Sequence, residues 1–467
     1  MSRKLALILV ATLLLLSLAC GGTTTEKLQT AVPTSEPAAD ESAAVDDTDP
    51  EDAGLSGPEP SATSAPTSTP KPTASPVEDV FDVVIAEQGF GQNEQTLAFG
   101  FVLENPNPGH AVEDLEYQAA AYDKDGTVVE TDSGYIGLLL PEQRLGFAGT
   151  MWLDEGVTVE TLEVQLKQGD PVATDALPGF STQAVVYYRG EYSDSVTGVI
   201  GNPYERSMQN LRVNALLYNA ADEIVGGGYT YHSFVHAGSA NGVDVDVDGS
   251  GDVARVELHP MVSGLTFLES EPSLPDGASA VQLLDTGGGQ DGISVGYAFL
   301  VENRNADFAI EGTEYHVTLY GEDGTVLGTS EGYVTVLLPE QTLGCAGDAY
   351  LAVESEVTDI QIEILTGDFV ESALIPYFTT EAVTFVPDQY YPEVTGKVLN
   401  PYTQQVDDVK VYAVLFDEAG VIIGGGYTYL DFIPAEGSAA VDFSVTAKPG
   451  VASVELYATV SSLSDFD

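Results

Sequence analysis

The chain has 467 residues, of which 73 are acidic and 15 basic, giving a net charge of −58. That balance excludes a protein built to grip nucleic acid phosphates or anionic lipid headgroups, since both need a basic patch. Only two cysteines are present, Cys20 and Cys345, which excludes a disulfide framework, and the length leaves room for several domains.

The N-terminus reads as an address. Ser2-Arg3-Lys4 is a short basic region, and Leu5 to Leu16 is an apolar run too short to span a bilayer comfortably, which takes about 20 residues. Ser17-Leu18-Ala19-Cys20 follows. A small residue before a cysteine at this distance resembles a bacterial lipoprotein signal, although Ser17 and Leu18 depart from the usual order. The resemblance implies that residues 1–19 are removed, that Cys20 is acylated, and that the protein is held outside the cytoplasm on the cell membrane. An ordinary secretory signal with an incidental cysteine is the alternative.

Residues 20–78 read as a disordered tether rich in Thr, Ser, Pro and Glu. Residues 21–78 contain nine prolines and no aromatic residue. Such a segment cannot bury enough apolar surface to offset its ordering entropy. Its expected job is to hold the folded part away from the membrane.

Beyond residue 78 the chain repeats at a constant offset of 198 residues. Leu139-Leu140-Pro141-Glu142-Gln143 returns as Leu337-Leu338-Pro339-Glu340-Gln341, and Gly226-Gly227-Gly228-Tyr229-Thr230-Tyr231 returns as Gly424-Gly425-Gly426-Tyr427-Thr428-Tyr429. A fainter repeat runs inside each half. Asn105-Pro106, Asn202-Pro203, Asn303-Arg304 and Asn400-Pro401 each precede a strand-like segment, and those segments end Ala121-Tyr122-Asp123, Leu217-Tyr218-Asn219, Leu319-Tyr320-Gly321 and Leu415-Phe416-Asp417. This predicts four modules in A-B-A-B order: A1 over 79–175, B1 over 176–275, A2 over 276–373 and B2 over 374–467. Leu162, Val164 and Leu166 alternate with polar residues, as do Ile360, Ile362 and Ile364, the period of half-buried strands. Glycine turns such as Asp123-Lys124-Asp125-Gly126 punctuate them, and no helical stretch stands out. The expected fold is all-β, a tandem of four β-sandwiches.

The Asn-Pro strand end, the Leu-Tyr-Asp-like segment and the glycine turn resemble FxLYD domains, small immunoglobulin-like modules of microbial surface proteins. Ala119, Ala215, Val317 and Ala413 replace that motif's leading phenylalanine. The resemblance implies a surface binding or spacer role rather than catalysis.

Candidate chemistry is sparse. Asp244, Asp246, Asp248 and Asp252 alternate around Gly249 and Gly251, which resembles a calcium loop, because Ca²⁺ takes several carboxylate oxygens and a tight turn. The closing glutamate is missing, since Arg255 holds its place. The alternative is a strand with water-facing aspartates ending in a hairpin. Beyond this Ca²⁺ reading, no cofactor is expected. His232 and His236 would share a face of an unbroken strand, but Leu430 and Pro434 stand at those places in the other copy, which favours structural roles. His259 answers Tyr457 and Cys345 answers Phe147, which favours the same reading for both. Tyr229 with Tyr231, and Tyr427 with Tyr429, read either as core packing beside the glycines or as an aromatic platform for a sugar or a peptide. No catalytic set stands out. The expected function is a lipid-anchored, non-catalytic surface protein acting as spacer or adhesive module. The alternative is a ligand-binding protein that takes a glycan, a cationic peptide or Ca²⁺ through its B modules.

Overall fold

The computed structural model describes residues 80–174, 177–190, 193–262, 274–388 and 391–461, and every regular element among them is a β-strand. The signal peptide, Cys20 and the tether lie outside the described residues.

The first set of strands is β1 (Val84–Asn93), β2 (Thr96–Glu104), β3 (His110–Tyr122), β4 (Val128–Leu139), β5 (Arg144–Trp152), β6 (Thr161–Lys167) and β7 (Asp170–Ala173). The second is β8 (Ser181–Tyr188), β9 (Asp194–Gly201), β10 (Met208–Tyr218), β11 (Ile224–Val235), β12 (Ala240–Gly249) and β13 (Arg255–Met261). The third is β14 (Gln282–Asp291), β15 (Ser294–Glu302), β16 (Phe308–Tyr320), β17 (Val326–Leu337), β18 (Thr342–Tyr350), β19 (Asp359–Leu365) and β20 (Asp368–Glu371). The last is β21 (Thr379–Val386), β22 (Glu393–Leu399), β23 (Val406–Phe416), β24 (Ile422–Ile433), β25 (Ser438–Ser444), β26 (Thr446–Ala447) and β27 (Ser453–Val460).

In the first set, β1-β2-β5 forms one sheet and β4-β3-β6, with β7 also on β3, forms a second. The third set repeats this as β14-β15-β18 and β17-β16-β19 with β20. The fourth set pairs β21-β22-β25 with β26-β24-β23-β27. In the second set the layers are continuous, because β12 pairs β9 along most of its length and then meets β11 at Gly226 and Gly227. The strand changes layer at that corner, as sandwich strands do. The chain after Gly249 therefore forms no hairpin: β13 pairs β10 instead of returning along β12.

The expected alternation holds where one face is wet. Leu162 and Val164 are buried on β6, between exposed neighbours. It fails on β2, whose residues from Leu97 to Leu103 are all buried. Phe99, Phe101 and Leu103 fill the core of the first sandwich. Val102, on the opposite face, packs with Ala148, Leu216, Tyr218 and Ile224 of the next set. Glycines let these sheets close up: a Cβ on Gly89 would lie 2.3 Å from the Ile224 carbonyl oxygen, and one on Gly287 would lie 2.2 Å from that of Ile422. The Gly-Gly-Gly segment serves the same contact from the other side, since a Cβ on Gly227 would meet Ala148 at 3.1 Å and one on Gly425 would meet Ala346 at 2.8 Å.

The two halves also meet. Thr197 Oγ1 donates to the Val326 carbonyl at 2.6 Å, and the Gly242 N–H donates to Thr318 Oγ1 at 3.2 Å. Residues 76–467 thus form one compact unit.

The Asn-Pro signals mark a recurring clamp. Asn202 Nδ2 donates to the Arg206 carbonyl at 2.8 Å and to that of Val235 at 3.0 Å, while its Oδ1 accepts from the Tyr204 N–H at 2.9 Å. Asn400 repeats this with Gln404, Ile433 and Tyr402, and Asn105 and Asn303 do the equivalent in the first and third sets. All four side chains are buried. Each ties a strand end to the end of a distant strand and satisfies carbonyls that burial would otherwise orphan. The motif's terminal Asp or Asn also has a job: Asp123, Asn219 and Asp417 each accept two turn N–H groups through Oδ1.

Candidate binding site

The alternation of β11 and β24 past their glycines puts each tyrosine pair on one open strand face. Tyr229 and Tyr231 are 40% and 43% exposed, and Tyr427 and Tyr429 are 40% and 46% exposed, so none is a core residue. Within each pair the rings meet edge to face, with centroids 6.0 Å and 5.9 Å apart.

Each pair surrounds a cation that the sequence reading missed. The Arg212 guanidinium lies 3.7 Å from the Tyr229 ring centroid and 4.2 Å from that of Phe147. Arg212 also donates to the Ala148 carbonyl at 2.7 Å and to Asn214 Oδ1 at 3.0 Å. In the second copy Lys410 Nζ lies 4.6 Å from the Tyr427 ring, 5.1 Å from Tyr412 and 5.7 Å from Tyr429. Burial pushes the Lys410 ammonium below its ordinary pKa. Neither cation forms an ion pair with a carboxylate among the described residues, although the chain carries 73 acids. The signal was available in the sequence. Of the 15 basic residues, only Arg212 and Lys410 answer each other at the 198-residue offset.

The floor of each notch comes from the preceding set. Tyr117 is buried, and its hydroxyl donates to Asp132 Oδ2 at 2.8 Å; burial and that carboxylate push the phenol well above its ordinary pKa. Tyr315 and Ser330 occupy the matching places, with Tyr297 Oη 3.0 Å from Ser330 Oγ. The second notch encloses about 180 Å³, lined among others by Tyr333, Asp348, Lys410, Tyr427 and Tyr429. That is below the usual 300–1,000 Å³ of a drug-sized site. A wider apolar cleft of about 780 Å³ includes Ile375, Tyr377, Phe378 and Tyr402, but Glu311 is its sole acid and it has no cation. The notches, by contrast, set a cation beside paired tyrosines.

The other sequence candidates separate. Asp244, Asp246 and Asp248 are strung along β12, with Asp244 turned into the contact between the halves and Asp246 exposed. Burial raises the Asp244 carboxyl to about 6. These aspartates and Asp252 do not come together as a ligand cluster. Among the described residues, the one group of three or more His, Cys, Asp or Glu with mutually close ligand atoms is His232, His316 and Glu331. His236 lies past the end of β11, with Nδ1 3.3 Å from Ser207 Oγ. His259 Nε2 is 3.1 Å from Glu257, while Tyr457 bonds Glu455, so the two matched residues hold matched acids. Cys345 is free and wholly buried, and burial raises its thiol far above the ordinary value, which leaves no reactive thiolate.

No family model and no curated protein matches this chain. Among solved structures, a calcium-binding mutant of Bacteroides uniformis beta-glucuronidase 2 aligns at 12% identity and TM-score 0.12, covering 56% of this chain and 29% of that one. A Salmonella alpha-2-macroglobulin mutant aligns at 12% identity and TM-score 0.13, covering 80% of this chain and 30% of that one. The chain spans less than a third of either neighbour, and likenesses this slight carry no argument about activity. The fold itself is all-β and sandwich-like.

Proposed function

We propose that this chain is a lipid-anchored, extracytoplasmic, non-catalytic interaction protein whose two tyrosine notches take a glycan. One observation carries the proposal: both copies keep a half-exposed tyrosine pair around a cation that has no carboxylate partner among the described residues. Aromatic rings offer faces and edges to the C–H surfaces of a sugar, and the cation with the nearby Asp132 or Asp348 offers hydrogen bonds to hydroxyls. A cationic peptide fits less well, because the chain's own cations already occupy the tyrosine faces. Two sites on one chain would supply avidity for a repeating polymer.

The lipoprotein-like N-terminus and Pro-rich stalk support placement on the cell surface, and the FxLYD-like segments support a binding or spacing module. The second reading is a pure spacer. It is favoured by the close glycine-mediated contact of successive sheets, which makes residues 76–467 one unit.

The test is saturation-transfer NMR on the mature chain against a panel of soluble oligosaccharides, with oligolysine for contrast. We expect saturation to pass from the protein to the ring protons of a sugar, an effect lost in the double variant Tyr229→Ala, Tyr427→Ala with unfolding unchanged. Transfer to oligolysine alone, or to nothing, refutes the glycan reading.

A further inference from the structure

The contact between the two halves contains a cluster that neither copy shows alone. His232 comes from β11, His316 from β16 and Glu331 from β17. Both histidines are only 2% exposed, and their rings lie 4.4 Å apart, centroid to centroid. His316 Nε2 is 3.0 Å from the Gly242 carbonyl oxygen, so that nitrogen carries the proton and Nδ1 presents a lone pair. The His232 ring lies beside the backbone of Phe234 on its own strand. Its Nε2, like His316 Nδ1, is buried and has no hydrogen-bond partner.

A buried imidazole nitrogen without a partner costs stability, and two facing one another cost more. A metal ion resolves the arrangement. Metal-bound histidines typically hold their second nitrogen on a backbone carbonyl or carboxylate, which fixes the tautomer and aims the lone pair. The His316 ring, held on the Gly242 carbonyl, has that pattern. Glu331 Oε2 stands 4.0 Å from His316 Nδ1 and accepts the Ser233 N–H at 3.3 Å, which orients the carboxylate. One ligand atom from each residue lies within 4.8 Å of the others. With metal–ligand bonds of about 2.0–2.2 Å, atoms around a tetrahedral zinc stand about 3.4 Å apart, so the cluster needs to close by at most about 1.4 Å.

We propose that His232, His316 and Glu331 form a Zn²⁺ site that clamps the two halves together, with solvent in the fourth position. Two imidazoles and a carboxylate suit a borderline divalent ion far better than Ca²⁺ or Mg²⁺, which want oxygen alone. Leu430 and Gln118 stand at the places of His232 and His316, but neither faces a second half. Among the described residues, it is the central contact that sets β11 and β12 against the sheet of β16 and β17, and so brings these three ligands together.

The test uses the mature chain, stripped with chelator and titrated with Zn²⁺ against a chromophoric competitor, beside His232→Leu and His316→Gln. The fold accepts Leu and Gln at these places in the other copy, so both variants are expected to fold. The expected result is one tight Zn²⁺ per chain, a raised unfolding midpoint, and binding weakened at least about 100-fold in either variant. Co²⁺ substitution of the unmutated chain should give the intense visible bands of a tetrahedral site. Equal uptake by chain and variants would mean zinc held by surface carboxylates, and would overturn the proposal. So would a weak octahedral cobalt spectrum or the lack of any midpoint shift.

Discussion

Phe234 is wholly buried, whereas Phe432, its counterpart 198 residues on, is 52% exposed. The same strand position is interior in one copy and surface in the other, because β11 packs against β16, and among the described residues no sheet covers β24 in that way. Phe234→Ala should therefore cost about 3–5 kcal/mol, and Phe432→Ala should stay within about 0.5 kcal/mol of the parent. Urea unfolding of the two variants measures the difference directly.

The asparagine clamps predict a second cost. In Asn202→Ala the carbonyls of Arg206 and Val235 and the Tyr204 N–H lose their partner together. We expect a loss of about 2–4 kcal/mol, read as a lower denaturation midpoint with an unchanged slope. Asn202→Asp should be no better, since a carboxylate cannot donate to the two carbonyls.

Lys410→Met should separate stability from binding. Burial holds the ammonium below its ordinary pKa, so its charge is maintained at some expense to the fold. The thioether keeps contact with Tyr412 and Tyr427 without that expense. The thermal midpoint should stay level or rise while glycan affinity falls at least about tenfold, by calorimetry on the same preparation. A residue that weakens its fold and strengthens a site is a functional one.

Asp244 predicts a pH dependence. Its folded pKa, about 6, lies above the ordinary 3.8, first because of burial and then through the charge of Asp246. Below pH 4 both folded and unfolded chains hold the proton, and Asp244 costs nothing. As the pH rises from 4 to 6 the unfolded chain releases it first, and stability is lost. Asp244→Asn should remove that loss, so the variant gains on the parent across this window and stays ahead above it. Denaturation midpoints between pH 3.5 and pH 7.5 report the difference.

What was legible in the sequence followed from local period and repetition. Leu162 and Val164 announced β6, because one face of that strand is wet. The strand β2 carries no such alternation, since Phe101 and Val102 face two different apolar neighbours. The aspartates after Val243 suggested a hairpin, but the partner of β13 is β10, a pairing set by contacts far along the chain. In the notches the tyrosines were visible and their cations were not. Arg212 and Lys410 acquire meaning only when Phe147 and Tyr412 close around them. His316 and Glu331 went unread for a different reason: comparing copies tests what the copies share, and a contact between the copies occurs once.

The asparagine clamps carry a consequence for chemical ageing. Asparagine decays to aspartate when the backbone nitrogen of the next residue attacks its side chain, which requires that nitrogen to bear a hydrogen. Pro106, Pro203 and Pro401 follow three of the clamps, and proline has no N–H. Those three asparagines are shielded by their neighbour as well as by burial. Asn303 is followed by Arg304 and lacks that shield. In an old preparation, the first clamp to turn acidic should be the one at Asn303, and the chain should begin to loosen from its third set of strands.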